Sequence, residues 1–457
     1  MAGIGFTLQR ALKSGRLSSF VSVAFSGIMI VAGPWLLSMI GLNLVNRFSL
    51  FLEVERRALF QGIVIYSFAF SLSLYGGLHF IFTRMLADAL YEKKNEEAGA
   101  LLTLFLLISL LLSVLLATLP VNSIQNGGIK YPFMFKASAV LFFITINCIW
   151  FLMIGISLLK KFLHILLAFF AGQFVAISGF FLLGKSYGLG GVMLGFTSGY
   201  VLIFLLLGFF VSQSYPVKIE LYLIKKFLHY FSRYIPLFLT GIFYNLGIWS
   251  DNMVYWFFKG SQIEGTFIKI FQPYDVVIYI AMLTMIPGLV YFVVFSETNV
   301  FIYLQKFLNS LGRNSCLKIQ EKKYHLVRIL KKELIEQAHF QGVFTFIFLV
   351  LSPWMFDLLL GRLTSLLVLR ISLVGVFFNL LLLALVTYLF YFEMYLFSFY
   401  ACFSFFTINF LLSILTAISN LIPYGLSYLI GALLGCVAAG FFLFTRTKRF
   451  DRRILSG

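Results

Sequence analysis

Charge is what this sequence of 457 residues has least of: 11% of its residues are charged and 61% are hydrophobic. Soluble domains carry roughly 25% and 45–50%. Mean hydropathy is +0.98, and apolar stretches of about 20–27 residues recur along the whole length. That leaves no room for a soluble domain of ordinary size and excludes a soluble enzyme. The stretches are too long and too continuously apolar to be barrel strands of about ten alternating residues, which excludes a porin-like barrel. Cysteine is scarce as well. Cys148, Cys316, Cys402 and Cys436 lie far apart with no CxxC spacing, so neither a disulfide framework nor a metal site is expected. Five scattered histidines form no HExxH motif, and neither catalytic chemistry nor a cofactor is expected.

What is present is a series of membrane helices. Hydropathy and chain breakers place spans near 18–46, 58–83, 98–120, 133–159, 162–184, 188–212, 235–258, 272–296, 340–360, 366–390, 395–419 and 425–445. The expected fold is an all-α polytopic membrane protein with about twelve transmembrane helices. The first span follows a basic segment, is longer than a signal h-region and lacks a small-residue exit, so it is expected to stay uncleaved. Of the 35 Lys and Arg residues, 25 fall on one side of the membrane and seven on the other; Lys136, Lys269 and Arg370 sit at span edges. The positive-inside rule then predicts both termini in the cytoplasm. The net charge of +18 is thereby read as topology and contact with anionic lipid rather than nucleic acid binding.

Twelve spans with a basic connection after the sixth suggest two six-helix lobes. The expected division is an interfacial segment at 1–17, an N-lobe at 18–212, a cytoplasmic linker at 213–234, a C-lobe at 235–445 containing a cytoplasmic amphipathic loop at 297–339, and a basic tail at 446–457. Paired lobes enclosing a cleft are a usual build for a carrier, so transport follows at the level of class.

Several motifs carry a resemblance. The chain opens Met1-Ala2-Gly3-Ile4-Gly5-Phe6, then shows Gly33-Pro34-Trp35, Gly76-Gly77, Phe82-Thr83-Arg84 and Asp88. Thr240-Gly241, Tyr244-Asn245-Leu246-Gly247-Ile248-Trp249, Asp251, Tyr274-Asp275, Ile286-Pro287-Gly288 and Glu297-Thr298 follow in order. In this the sequence resembles the Pel exopolysaccharide transporters, the PelG family. The resemblance implies a flippase/multidrug-exporter-like fold in the superfamily of multidrug and oligosaccharide-lipid exporters. It also implies export of an N-acetylhexosamine polysaccharide. The implied partners are a cytosolic glycosyltransferase, PelF, and membrane subunits, PelD and PelE.

Charges inside spans cost at least about 2.5–3.5 kcal/mol at the bilayer centre, so each needs a reason. Spans one to six contain no Asp or Glu, which argues against an antiporter built on first-lobe carboxylates. No Lys or Arg lies at mid-depth, which argues against pyrophosphate-linked cargo and for a neutral chain of hydroxyls and amides. The seventh span is the most polar. Tyr244, Asp251 and Tyr255 share one stripe and Asn245, Trp249, Asn252 and Trp256 the next. One reading is sugar binding from an outer vestibule, with aromatic rings against pyranose faces; the other is a polar seam between helices with an interfacial aromatic belt. Asp275, in the first turn of the eighth span after Pro273, is either a helix cap or a pathway residue. Arg84 and Asp88 are an ion pair or, with Glu297, the lining of an inner mouth.

Two surfaces suggest partners. Residues 1–17 read as an interfacial amphipathic helix. In the loop at 297–339, Lys322, Lys323, Arg328, Lys331 and Lys332 flank Leu326, Ile329, Leu330 and Leu334. Lipid adsorption and docking of the glycosyltransferase both fit this pattern. The alternatives to a polysaccharide exporter working through the inter-lobe cleft are a lipid-linked oligosaccharide flippase and a scaffold subunit of the synthase complex.

Overall fold

Apolar runs that cannot leave backbone groups unpaired in lipid must close their hydrogen bonds within one segment, which makes them helices. The computed structural model describes residues 26–29, 31–48, 51–311, 315–360, 365–419 and 421–447. The segment at 1–17 and residues 448–457 of the tail lie outside them. The helices are α1 (Gly33–Phe48), α2 (Val54–Tyr91), α3 (Asn95–Asn122), α4 (Pro132–Leu158), α5 (Phe162–Ser212), α6 (Tyr222–Arg233) and α7 (Ile235–Lys259). A hairpin of β1 (Ser261–Gln262) and β2 (Lys269–Ile270) leads to α8 (Gln272–Leu283) and α9 (Ile286–Tyr291). After a π-helical turn at Phe292–Ser296 come α10 (Glu297–Leu311), α11 (Cys316–Met355), α12 (Leu366–Tyr391), α13 (Tyr395–Ser419) and α14 (Leu426–Thr447).

Among the described residues, nine helices are long and apolar enough to cross a membrane. One of these is α5, whose 51 residues break at Gly188, where φ is +61°. Without a Cβ, glycine takes this conformation freely, so two spans follow each other with no intervening loop.

The described chain divides into two compact units. One contains Leu246–Phe258 and the described residues from Phe271 to Thr447; the other contains the described residues of Gly33–Asn245 and Lys259–Ile270. Helix α7 therefore contributes its first half to the second of these and most of its remainder to the first. In the unit of α1–α6, the β hairpin is held by Tyr66, whose hydroxyl donates to the Lys269 carbonyl (2.9 Å) and accepts from the Lys269 N–H (3.1 Å). Its core is aromatic: Phe82, Phe105 and Phe151 meet one another with ring centroids 4.9–5.6 Å apart, an edge-rich packing that adds to their area burial. In the unit of α8–α14, the loop expected at 297–339 is helical almost throughout, because α10 and α11 continue the spans beyond their apolar stretches. Leu326 and Leu330 are buried there, while Lys322, Arg328, Lys331 and Lys332 are exposed and Lys323 is half-buried.

Candidate functional site

Helix α7 carries the polar stripes anticipated above, and the structure shows where each residue turns. Asp251 is fully buried, with 0% exposure. Its Oδ2 accepts the Tyr274 hydroxyl and its Oδ1 accepts the Asn252 backbone N–H (2.9 Å). Asp275 takes more donors. The Asn252 amide reaches its Oδ1 at 2.7 Å, the Trp256 indole N–H reaches both oxygens at 2.8 and 2.9 Å, and the Phe271 N–H reaches Oδ2 at 3.2 Å. Asn252 thus bridges the two carboxylates, its backbone to one and its side chain to the other. The bond from Phe271 joins the residue that precedes α8 to a carboxylate in its first turn, so Asp275 ties down the helix start within a larger network.

Among the described residues neither carboxylate has a basic partner, and every hydrogen-bond donor to them is neutral. Hydrogen bonds to charged groups are worth about 1.5–3 kcal/mol each, and they offset the burial of these acids. The rest of the site is aromatic and hydroxylic. Tyr255 packs edge-on against Tyr274 (4.9 Å) and Tyr424 (5.0 Å). Its hydroxyl lies 3.2 Å from Ser427 Oγ, which accepts from Ser413 at 2.8 Å. The Asn409 amide donates to the Gly247 carbonyl at 2.9 Å.

This corrects one expectation: Asp251 does not face an open vestibule. The α7 stripe turns inward onto α8 because a carboxylate in an apolar helix gains most from buried O–H and N–H donors. Trp249 is half-buried, its ring 6.3 Å from that of Trp256. Asp251, Asn252, Trp249 and Asp275 therefore come together in one unit. Tyr244 and Asn245 belong to the other, where the Asn245 amide donates to the Gly241 carbonyl (2.8 Å).

Arg84 pairs with Asp88 at 3.2 Å and lies over the Tyr234 ring at 5.5 Å. Glu297 is buried and accepts the Tyr391 hydroxyl at 2.5 Å. Arg84 and Asp88 belong to one unit and Glu297 to the other, where no hydrogen bond among the described residues links it to Asp251. Of the docking candidates, Lys331 lies over the Phe444 ring (5.7 Å) and Lys332 pairs with Glu336 (3.5 Å). Tyr274, Tyr424 and Ser427 were not foreseen as site residues. The adjacency of Tyr274 to Asp275 was an available signal.

A second polar cluster, entirely neutral, lies in the other unit. Ser71 donates to the Asn147 carbonyl oxygen (2.7 Å), the Asn147 amide to Ser113 (3.1 Å) and the Trp150 indole to Ser71 (3.1 Å), while the Tyr75 hydroxyl lies 2.7 Å from that of Ser113. The signal was present as Asn and Ser residues inside apolar spans.

Two letter patterns along α5 amend the expectation of no catalytic motif. Gly179–Ser186 spells GxxxxGKS, and Gly184–Gly188 spells GxSxG. The first lies within helix and the second runs from helix to the break at Gly188 with no strand beside it, whereas a phosphate-binding loop needs free N–H groups between a strand and a helix and a nucleophile elbow needs a strand-to-helix turn. Gly179 and Gly184 serve packing instead, against the Gly195 backbone and Val192.

Solved structures with a similar fold are membrane transporters. The eukaryotic MATE transporter AtDTX14 matches with TM-score 0.63 at 14% identity, covering 94% of this chain and 99% of its own. The Vibrio cholerae MATE transporter VcmN in its bent form matches with TM-score 0.62 at 14% identity, covering 95% and 98%. A MOP superfamily transporter from Pyrococcus furiosus matches with TM-score 0.58 at 14% identity, covering 93% and 96%. The chain thus has the all-α, multi-pass fold seen in MATE transporters. Residues 1–454 match the family model PelG, "Putative exopolysaccharide Exporter (EPS-E)", and the chain belongs to that family. A search of curated proteins gave no match.

Proposed function

We propose that this transporter exports a Pel-type N-acetylhexosamine polysaccharide across the bacterial inner membrane, with both termini in the cytoplasm. It receives the chain from the glycosyltransferase PelF, in an assembly with PelD and PelE, and forms no covalent bond itself. The observation that carries this reading is the family match over 1–454. Charge supports a neutral cargo: among the described residues no Lys or Arg is buried, whereas pyrophosphate-linked cargo calls for sequestered cations. In this reading Trp249, Asn252 and Asp275, with Tyr244 and Asn245, serve the transport pathway and the buried Asp251 braces Asn252 behind it, Arg84 and Glu297 serve its inner end, and the basic face of α11 receives the glycosyltransferase.

The test is the form of glycan retained in cells that lack this protein and keep the synthase, read by fractionation and mass spectrometry. Free polymer in the cytosol is expected. Short lipid-linked oligosaccharide in the membranes would overturn the reading in favour of a flippase.

A further inference from the structure

The connection between α5 and α7 has an unusual outer face. Residues 216–220 have no regular secondary structure, and Val217, Ile219 and Leu221 are 73–75% exposed. Their alternation with Lys218 and Glu220 puts the three on one side if the segment is extended. In α6 the exposed apolar residues Ile224 and Leu228 are four apart, one above the other on a helix. Beside them, on the adjoining edge, stand Lys225, His229 and Arg233, all exposed.

The inner face of this connection is tied down. Lys218 pairs with Glu96 (2.6 Å), Lys226 with Glu97, and the Tyr230 hydroxyl donates to Asp88 (3.1 Å). Leu223 is fully buried, and Phe227 packs against Phe105 at 5.3 Å. The outward orientation of the apolar and basic edges is therefore fixed by the protein. The connection begins where a helix long and apolar enough to cross a membrane ends, at Ser212, and leads at Ile235 into α7, read from the sequence as the seventh span, so chain continuity keeps it near the bilayer surface. Over 213–234 it holds four Lys and Arg residues against one Glu.

We propose that this face is seated on anionic lipid. The apolar edge from Val217 to Leu228 enters the boundary between headgroups and acyl chains, and Lys225 and Arg233 meet lipid phosphates. An apolar edge joined to a basic edge on a helix lying along the surface is the pattern such a leaflet selects.

The test uses the full-length protein, with its native cysteines replaced, carrying a spin label at Ile219 or Leu228 in phosphatidylglycerol/phosphatidylcholine vesicles. Both positions are exposed, so the label is tolerated. Oxygen accessibility well above that of a water-soluble nickel chelate is expected at both. Free access of the chelate to both would overturn the proposal and leave the face to a soluble protein partner. Omitting phosphatidylglycerol should make both labels shallower, and K225Q/R233Q should reproduce that shift. Depth that responds to neither change would overturn the assignment of the basic edge.

Discussion

The indole N–H of Trp256 is shared between both carboxylate oxygens of Asp275, at 2.8 and 2.9 Å. Trp256→Phe keeps a large ring and removes that donor. The carboxylate then retains Asn252 and the Phe271 N–H, and the loss is that of a hydrogen bond to a charged group, about 1.5–3 kcal/mol. Thermal unfolding of the purified variant should show a lower Tm. Under the proposed function, export should fall while the complex still assembles. A scaffold subunit would lose neither.

Asp251 and Tyr274 are fully buried and depend on each other. Tyr274→Phe strips the carboxyl group of its hydroxyl donor, and Asp251→Asn replaces the acceptor that the hydroxyl serves. Each single change should destabilise, and the double variant should cost less than their sum. The coupling energy from a double-mutant cycle should fall within about 0.5–3 kcal/mol; strict additivity would show that the bond contributes nothing.

Helix type was legible because lipid enforces it: among the described residues the long apolar runs became helix, down to the break at Gly188. The ends were not. Helix α2 runs to Tyr91 and α11 begins at Cys316, since hydropathy fades where a helix leaves the bilayer while its hydrogen bonds continue. At the candidate site, the polar stripe on α7 could be read from spacing alone. Its closure by Tyr274, Tyr424 and Ser427 could not, because helical periodicity gives a face and not the neighbour that covers it. Glu297 shows the same limit: adjacency in a motif did not disclose that Tyr391 caps it.

Gly76 on α2 and Gly241 on α7 bring two helix backbones together. A Cβ at Gly241 would meet the Gly76 carbonyl, and one at Gly76 would meet the Gly241 carbonyl and the Asn245 amide. Neither backbone can move aside as a side chain could. Gly241→Ala should therefore cost at least the about 1–3 kcal/mol typical of overpacking, seen as reduced folded yield and a lower Tm. Gly208→Ala, with no atom within 4 Å of the added carbon, is the control and should leave the Tm unchanged or raise it, since Ala suits a helix interior better than Gly.

Glu97 in the first turn of α3 is 8% exposed, and its partner Lys226 stands on α6. A pair of this kind need not stabilise relative to apolar residues of similar size, because both ions lose water on burial. Removing one partner is different, since it leaves an uncompensated charge. Lys226→Met should therefore destabilise by up to about 3–5 kcal/mol, toward the lower end because the lysine side chain is 31% exposed. Glu97→Gln should cost less, as the freed ammonium can turn to water. The double variant should recover much of the loss from Lys226→Met, and Tm values for all four proteins in one detergent decide it. If Lys226→Met and the double variant unfold together, the carboxylate is not stranded, and the attachment of α6 to α3 rests on Leu223 and Phe227 rather than on charge.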